Sequence, residues 1–188
     1  MRIVIVVFAA LLAAMLAASG AYARKSGPPR PGPIDMVVIH ATGGPTCNPK
    51  TRKIEWIKGG ELEANMRVIE AHPTLGIHYM IGRDGALRKS IPENQVGHHV
   101  IGYSERSIAI ELVNHGDGSE PFPQEQIGVL VKLLRDIVKR HNIARANVVR
   151  HSDLDKGMLP CAPEQRRKID PGPAFPYEKV LETVFWGR

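Results

Sequence analysis

Apolar residues along the chain recur at two spacings, which predict different elements. Short apolar runs bounded by turn-forming residues indicate buried strands, whereas apolar positions three and four residues apart indicate amphipathic helices. Strands that alternate with helices of moderate length predict an α/β domain, with helices on the faces of a mixed central β-sheet. The patterns place strands at residues 34–40, 76–81, 86–91, 107–113 and 148–150, and helices at residues 61–71, 124–142 and 177–185.

The amino-terminal segment differs in character from the rest of the chain. Arg2 is followed by sixteen residues without charge, 3–18, and then by small residues that end in Ala-Tyr-Ala before Arg24. A basic start, an apolar middle and a small-residue exit are typical of a secretory signal peptide. The alternative is an uncleaved membrane anchor, but sixteen residues fall short of the roughly 20 that span a bilayer. We predict a signal peptide at residues 1–23 and no stable membrane anchor after its removal.

The rest of the chain is predicted to form one domain. Residues 24–33, RKSGPPRPGP, predict a solvated tether because Pro and Gly interrupt regular structure. Residues 34–188 then suffice for one core of ordinary size. The net charge of +6 becomes +5 once the leader is removed, but the chain has only four Phe, four Tyr and two Trp and no visible stacking motif. We therefore predict no nucleic-acid partner.

Two histidines stand at the ends of predicted strands. His40 follows VVI and His151 follows VVR, and no local signature such as H-E-x-x-H, a Walker loop or C-x-x-C accompanies them. An imidazole held at the edge of a sheet suits a metal ligand. For either histidine taken alone, a hydrogen bond that caps the strand is the simpler explanation.

Glu111 interrupts an otherwise apolar strand. It lies in the run SIAIELV, on the same predicted face as Ser107, Ala109 and Val113. A carboxylate among apolar residues has to be paired, linked to a metal or kept for proton transfer, because its burial is otherwise costly. A buried salt bridge and a functional role remain equally open.

A charged segment near the carboxyl end also deserves a functional interpretation. In RRKIDPG, Pro171 favours an extended conformation at the residue before it, so Lys168 and Asp170 should point to the same side. A carboxylate ligand and an ammonium group could then face one site. A charged surface loop is the alternative.

Together these segments resemble the zinc-dependent N-acetylmuramoyl-L-alanine amidases of the Amidase_2 type, which are related to the peptidoglycan recognition proteins. The resemblance extends from residue 34 to about residue 185. Its carriers occur in the family's order, which makes the set more specific than any one of its parts. They are MVVIHATGG, GIHYMIGRDG, SIAIELVN, VVRHSDLDKG and KIDPGPAF.

The resemblance implies a role for each candidate residue. His40, His151 and Asp170 would be the three zinc ligands, and water would take the fourth position of a catalytic site. Glu111 would be the general base, and Lys168 would stabilise the oxyanion. The implied reaction is hydrolysis of the amide between the lactyl group of N-acetylmuramic acid and L-alanine. It also implies that His98, in VGHHV, contacts the substrate, and that Ile77 occupies the position of a catalytic Tyr found in the recognition proteins and phage lysozymes.

The third ligand has a rival in Cys161. The stretch between His151 and Asp170 is longer than in many relatives and contains this cysteine, and some relatives use Cys as their third ligand. The surrounding KIDPG favours Asp170. Cys47 offers Cys161 another role, since each cysteine follows an implied ligand and both loops should lie near the site. In an exported protein we expect the two to form a disulfide.

The family contains a second class of function, because some members bind muropeptides without cleaving them and typically lack a metal ligand. This chain keeps the full implied set, so we expect an enzyme that acts on peptidoglycan or muropeptides. We expect it to work in the periplasm or outside the cell, as a monomer. Its basic charge would suit an anionic wall polymer.

Overall fold

The structure, a computed structural model, describes residues 26–187. The predicted signal peptide lies outside this range. Within the described range, no helix is both long enough and apolar enough to cross a membrane. The elements are β1 (Met36–Ala41), β2 (Gly44–Cys47), β3 (Ile54–Ile57), α1 (Leu62–Ala71), β4 (Tyr79–Ile81), β5 (Leu87–Lys89), β6 (Ser107–Leu112), α2 (Gln124–His141), β7 (Val148–Arg150), α3 (His151–Leu154), β8 (Met158–Leu159), β9 (Ala162–Arg166) and α4 (Tyr177–Phe185).

The centre of the molecule is a five-stranded mixed sheet with the strand order β5-β4-β6-β1-β7. Strands β4, β6, β1 and β7 are parallel, and β5 pairs antiparallel with β4 through the hairpin around Asp84-Gly85. The mixed α/β architecture predicted from the sequence is confirmed. Because the central strands are parallel, their carboxyl ends meet at one edge of the sheet, where loops can bring distant residues together.

The two faces of the sheet are covered differently. Helices α2 and α4 pack on one face over the strand residues Val37, Ile39 and Ile110, which are fully buried. On the other face α1 packs through Met66 over the β4 and β6 side of the sheet. Side chains alternate along β1, so His40 projects to the face opposite that of Ile39. The His40 side chain therefore lies on the face of the sheet that α2 and α4 do not cover.

Strands with strong apolar patterns form close to where they were predicted. Strand β1 begins at residue 36 rather than 34, β4 begins at residue 79 rather than 76, and α4 has its predicted bounds. Two hairpins, β2–β3 and β8–β9, were not predicted. Both consist largely of exposed or half-buried residues that include Pro and charged side chains, so they show no apolar alternation.

The segment predicted as a solvated tether is docked in its described part. The side chain of Arg30 donates hydrogen bonds to the backbone carbonyl oxygens of Glu105 at 2.7 Å and Ser107 at 2.8 Å. The amide of Gly27 donates to the side chain of Gln95 at 2.8 Å. The described part of the segment contains no helix or extended strand, only an isolated bridge between Pro29 and Gln95, and side-chain and backbone hydrogen bonds hold it against the domain.

Candidate active site

The carboxyl edge of the sheet carries two functional side chains on neighbouring strands. His40 on β1 is the register partner of Glu111 on β6. Parallel pairing with matched pleats gives the two side chains the same face. Sequence alternation alone predicted a face for each residue, and the register places the imidazole and the carboxylate side by side.

His151 reaches the same edge from the other neighbour of β1. Strand β7 pairs with β1 up to Ile39 and Arg150, so the next residue of each strand, His40 and His151, lie together. The chain turns into α3 at this point, because the Asp153 carboxylate accepts hydrogen bonds from the backbone amide and the side chain of Arg150. This local turn holds His151 at the first position of the helix.

Asp170 arrives from a distant loop and is fixed beside His151. The backbone amide of Ser152 donates to the carbonyl oxygen of Asp170 at 3.0 Å. The Asp170 side chain then turns inward and is 5% exposed as a residue. This backbone hydrogen bond thus joins the first turn of α3, which carries His151, to the loop that carries Asp170.

Three potential ligand atoms converge in this cluster. Nδ1 of His40 lies 2.9 Å from Nδ1 of His151, and Oδ2 of Asp170 lies 3.0 Å from the His151 nitrogen and 3.4 Å from the His40 nitrogen. All three residues are buried. Two imidazoles and a carboxylate form a donor set that Zn²⁺ uses in catalytic sites with an open fourth position.

Burial and charge set the protonation states that a cation requires. Burial lowers the pKa of His40 to about 4, so its imidazole is neutral at neutral pH. Burial opposes ionisation of Asp170, but the neighbouring imidazoles, His151 first, hold the pKa of its carboxyl group well below the usual range. The site therefore offers an anionic oxygen and a neutral imidazole, the forms that bind metal.

Glu111 and Lys168 lie next to this cluster in different environments. Burial, with the negative charge of Asp170 in second place, raises the pKa of Glu111 to about 8. The charge of Lys168 acts in the opposite direction on Glu111. Lys168 itself is exposed and borders the site. A carboxyl group tuned toward neutral pH and a nearby ammonium group can move a proton and stabilise a negative charge.

A groove passes over the cluster and widens on both sides. One cavity of about 390 Å³ contains Glu111, Asp170 and the half-buried or exposed apolar side chains of α1 and β3. A second, of about 580 Å³, lies on the side of Val100, Ser104 and Glu105. The two share six residues: Leu75, His98, His99, His151, Arg167 and Lys168. The exposed side chain of His98 thus borders the groove where the resemblance implied a substrate contact.

The sequence profile of the Amidase_2 family, described as N-acetylmuramoyl-L-alanine amidase, matches residues 30–173. The chain belongs to the Amidase_2 family. The match contains all the candidate ligands as well as Glu111 and Lys168. It begins at Arg30, the residue whose side chain docks the amino-terminal segment.

Individual members of the Amidase_2 family share part of their length with this chain. It is 37% identical over 86 residues to the N-acetylmuramoyl-L-alanine amidase AmiD of Escherichia coli K12, and the matched region covers 42% of this chain and 28% of AmiD. It is 32% identical over 117 residues to the 1,6-anhydro-N-acetylmuramyl-L-alanine amidase AmpD of Enterobacter cloacae, covering 58% of this chain and 57% of AmpD. The chain thus spans less than two thirds of either relative.

Solved structures of Amidase_2 proteins share the fold. E. coli AmiD, in complex with anhydro-N-acetylmuramic acid-L-Ala-D-γ-Glu-L-Lys, superposes with a TM-score of 0.61 at 23% identity, covering 80% of this chain and 57% of AmiD. AmpDh3 of Pseudomonas aeruginosa, in complex with an anhydromuramic pentapeptide, superposes with a TM-score of 0.63 at 20% identity, covering 90% and 66% of the two chains. At these identities the likeness supports the fold.

Cys161, the rival for third ligand in this Amidase_2 chain, is bonded elsewhere. It forms a disulfide with Cys47, with 5.9 Å between the Cα atoms. The bridge joins the end of β2 to the turn between β8 and β9, the two hairpins that the sequence did not predict. The structure therefore brings Asp170, and not Cys161, to the two histidines.

Two contacts near the site were missed by sequence analysis. His99 lies 3.0 Å from His40, on the side away from the cluster, and burial with the nearby His40 keeps the pKa of His99 well below its ordinary value. The adjacent pair His98-His99 was the available signal, because neighbours in extended chain face opposite sides. Tyr79, two positions after Ile77, donates a hydrogen bond to Glu93, while Ile77 borders the groove.

Proposed function

We propose that the chain is a zinc-dependent N-acetylmuramoyl-L-alanine amidase, which hydrolyses the amide between the lactyl group of N-acetylmuramic acid and L-alanine. The observation that carries this proposal is the convergence of His40, His151 and Asp170 beside Glu111 on the floor of a groove. The Amidase_2 membership supports it, as do the relatives named as amidases of this bond. The chain matches only part of the length of those relatives, so the proposed substrate is inferred from the residues of the site.

The cation would be held by Nδ1 of His40, Nδ1 of His151 and a carboxylate oxygen of Asp170. The donor set fits zinc because it combines two imidazoles with one anionic oxygen in a buried position. When bound, zinc supplies Lewis-acid chemistry that polarises the amide carbonyl and acidifies the attacking water.

Glu111 would move the proton during hydrolysis. Its carboxylate takes a proton from the water that adds to the amide carbon, and it returns this proton to the nitrogen as the carbon–nitrogen bond breaks. The products are the lactyl carboxylate and the free amine of L-alanine. In the absence of metal, the pKa of Glu111 is about 8, so its carboxyl group accepts a proton readily. A bound cation nearby would lower this pKa and favour the carboxylate that has to accept the proton from water.

Lys168 would stabilise the negative oxygen that develops as the water adds. Its ammonium group lies at the margin of the cluster and faces the groove from the loop that carries Asp170. A positive charge beside a developing oxyanion stabilises the transition state more than the ground state, and this difference lowers the barrier. His98, which is exposed and lines both cavities, would contact the bound muropeptide.

We further propose that the protein is exported and acts in the periplasm or outside the cell. Residues 1–23 would serve as the signal peptide, and the domain would follow as one monomeric unit. The disulfide supports an oxidising compartment, because such bonds are rare in the cytosol. The basic charge would assist encounter with an anionic wall polymer.

The test is cleavage of a defined muropeptide by purified protein, measured as released stem peptide. We expect cleavage that a chelator abolishes and added zinc restores. Glu111→Gln should retain zinc but lose activity, Asp170→Ala should lose both, and Glu125→Gln, an exposed change on α2, should match the parent protein. Tight muropeptide binding without cleavage by the zinc-loaded parent would instead establish a binding module and overturn the proposal.

A further inference from the structure

His99 lies directly behind the ligand cluster, against the far edge of His40. Its Nδ1 is 3.0 Å from Nε2 of His40, and its own Nε2 is 3.1 Å from Oγ of Ser107. The His40 and His99 rings meet edge to face, with centroids 5.1 Å apart and an interplanar angle of 84°. His40 therefore uses one ring nitrogen toward the cluster and the other toward His99.

The contact between Ser107 and Tyr103 determines the direction of these hydrogen bonds. Oγ of Ser107 lies 2.7 Å from the carbonyl oxygen of Tyr103. A carbonyl oxygen can only accept, so the Ser107 hydroxyl donates its hydrogen there. The same oxygen is then free to accept from Nε2–H of His99, which leaves Nδ1 of His99 as an acceptor.

This polarity determines the tautomer of His40. Nδ1 of His99 accepts a hydrogen bond from Nε2–H of His40, so Nδ1 of His40 carries a lone pair. That lone pair points to the cluster formed with His151 and Asp170. The opposite tautomer would place a hydrogen where a cation should bind and would set two acceptor nitrogens against each other.

We propose that His99 is a positioning residue: through the chain His40–His99–Ser107–Tyr103 it fixes His40 in the tautomer and orientation that bind the cation. The inference rests on the metal site of the proposed function. Ser107 is fully buried at the start of β6, the strand whose later residue Glu111 pairs with His40. One strand therefore supplies the general base and also the anchor for the ligand's outer hydrogen bond.

The test compares zinc affinity in three variants, measured by competition with a chromophoric chelator. His99→Ala removes the acceptor, and we expect it to weaken zinc binding by about 10-fold or more, as loss of an outer hydrogen bond to a ligand does. His99→Asn keeps an acceptor oxygen near the position of Nδ1 and should recover most of that loss. Glu125→Gln, the exposed control on α2, should leave zinc affinity unchanged.

A second readout is independent of zinc. Long-range ¹H–¹⁵N spectra of the metal-free protein should show His40 in the Nε2–H tautomer in the parent and in His99→Asn, and in a mixture of tautomers in His99→Ala. Equal zinc affinity in the parent and His99→Ala, or an affinity loss that His99→Asn does not recover, would overturn the inference. If the parent binds no zinc, the proposed function fails, and the tautomer of His40 still decides the inference.

Discussion

Glu111 lies directly beside His40 across the parallel pair β1 and β6, and burial next to Asp170 raises the pKa of its carboxyl group to about 8. Between its ordinary pKa and about 8, the folded protein therefore holds a proton that the unfolded chain has released. The free energy of unfolding should fall as the pH rises through this window. The residue that suits proton transfer is thus also a cost to the metal-free fold at alkaline pH.

Substitution of Glu111 should remove this pH dependence. In the presence of a chelator, Glu111→Gln cannot titrate, so we expect it to gain stability relative to the parent as the pH is raised from about 5 to about 9. Urea unfolding at several pH values measures the difference. Glu125→Gln on the surface of α2 is the control. A Glu111→Gln difference that stays constant over the whole range would contradict the prediction.

Loss of the Lys168 charge should slow the reaction without releasing the cation. We expect Lys168→Met to lower kcat/KM by about 100-fold or more, the usual effect of removing an oxyanion donor, with zinc content unchanged. Lys168→Arg should retain part of the activity, and Lys179→Met, on α4 at the opposite face, should retain all of it. Steady-state kinetics with metal analysis checks this, and zinc loss in Lys168→Met would count against the assigned role.

Removal of the disulfide should destabilise the fold more than it disturbs the metal site. The Cys47–Cys161 bridge closes a loop of more than 100 residues, for which the chain-entropy model gives about 4 to 5 kcal/mol. We expect the double variant Cys47→Ser, Cys161→Ser to lose stability of that order in urea unfolding. Zinc stoichiometry should persist, because neither sulfur is a ligand; its loss would reopen the case for Cys161.

Arg30 should matter for stability although it lies in a segment without regular structure. Its guanidinium donates to backbone carbonyl oxygens of Ser104, Glu105 and Ser107. Removal leaves these acceptors without their charged donor, so we expect Arg30→Ala to cost about 2 kcal/mol. Lys132→Ala, an exposed change on α2, should stay within about 0.5 kcal/mol of the parent. Equal urea midpoints for the two variants would show that docking contributes little.

The elements that sequence analysis located are those whose burial leaves a periodic trace. Helix α2 shows the helical period because Leu130, Leu134 and Ile137 are fully buried on one face. Strands β1 and β6 are largely apolar because nearly all of their residues are buried. The β2–β3 and β8–β9 hairpins are short and expose many of their side chains, so the hydrophobic pattern did not predict them.

Some residues of the candidate site were likewise predictable from the sequence and others were not. His40, Glu111, His151 and Asp170 were proposed from strand ends and a family resemblance, and the structure brings them together. The hydrogen bonds of His99 were not predicted, because they depend on how the loop that carries His99 packs against Ser107, the first residue of β6. Arg30 was assigned to a solvated tether for a similar reason: most of its partners are backbone carbonyl oxygens, which the side-chain sequence does not reveal.

The three candidate ligand side chains come from the first strand, the start of α3 and the loop before the last helix. Any segment that contains all three spans at least residues 40–170, so a cation can be held with full affinity only when most of the fold is complete. Binding and folding are therefore thermodynamically linked. A cation in the cluster should protect even remote parts such as α4 from unfolding, and its withdrawal should make the chain easier to degrade.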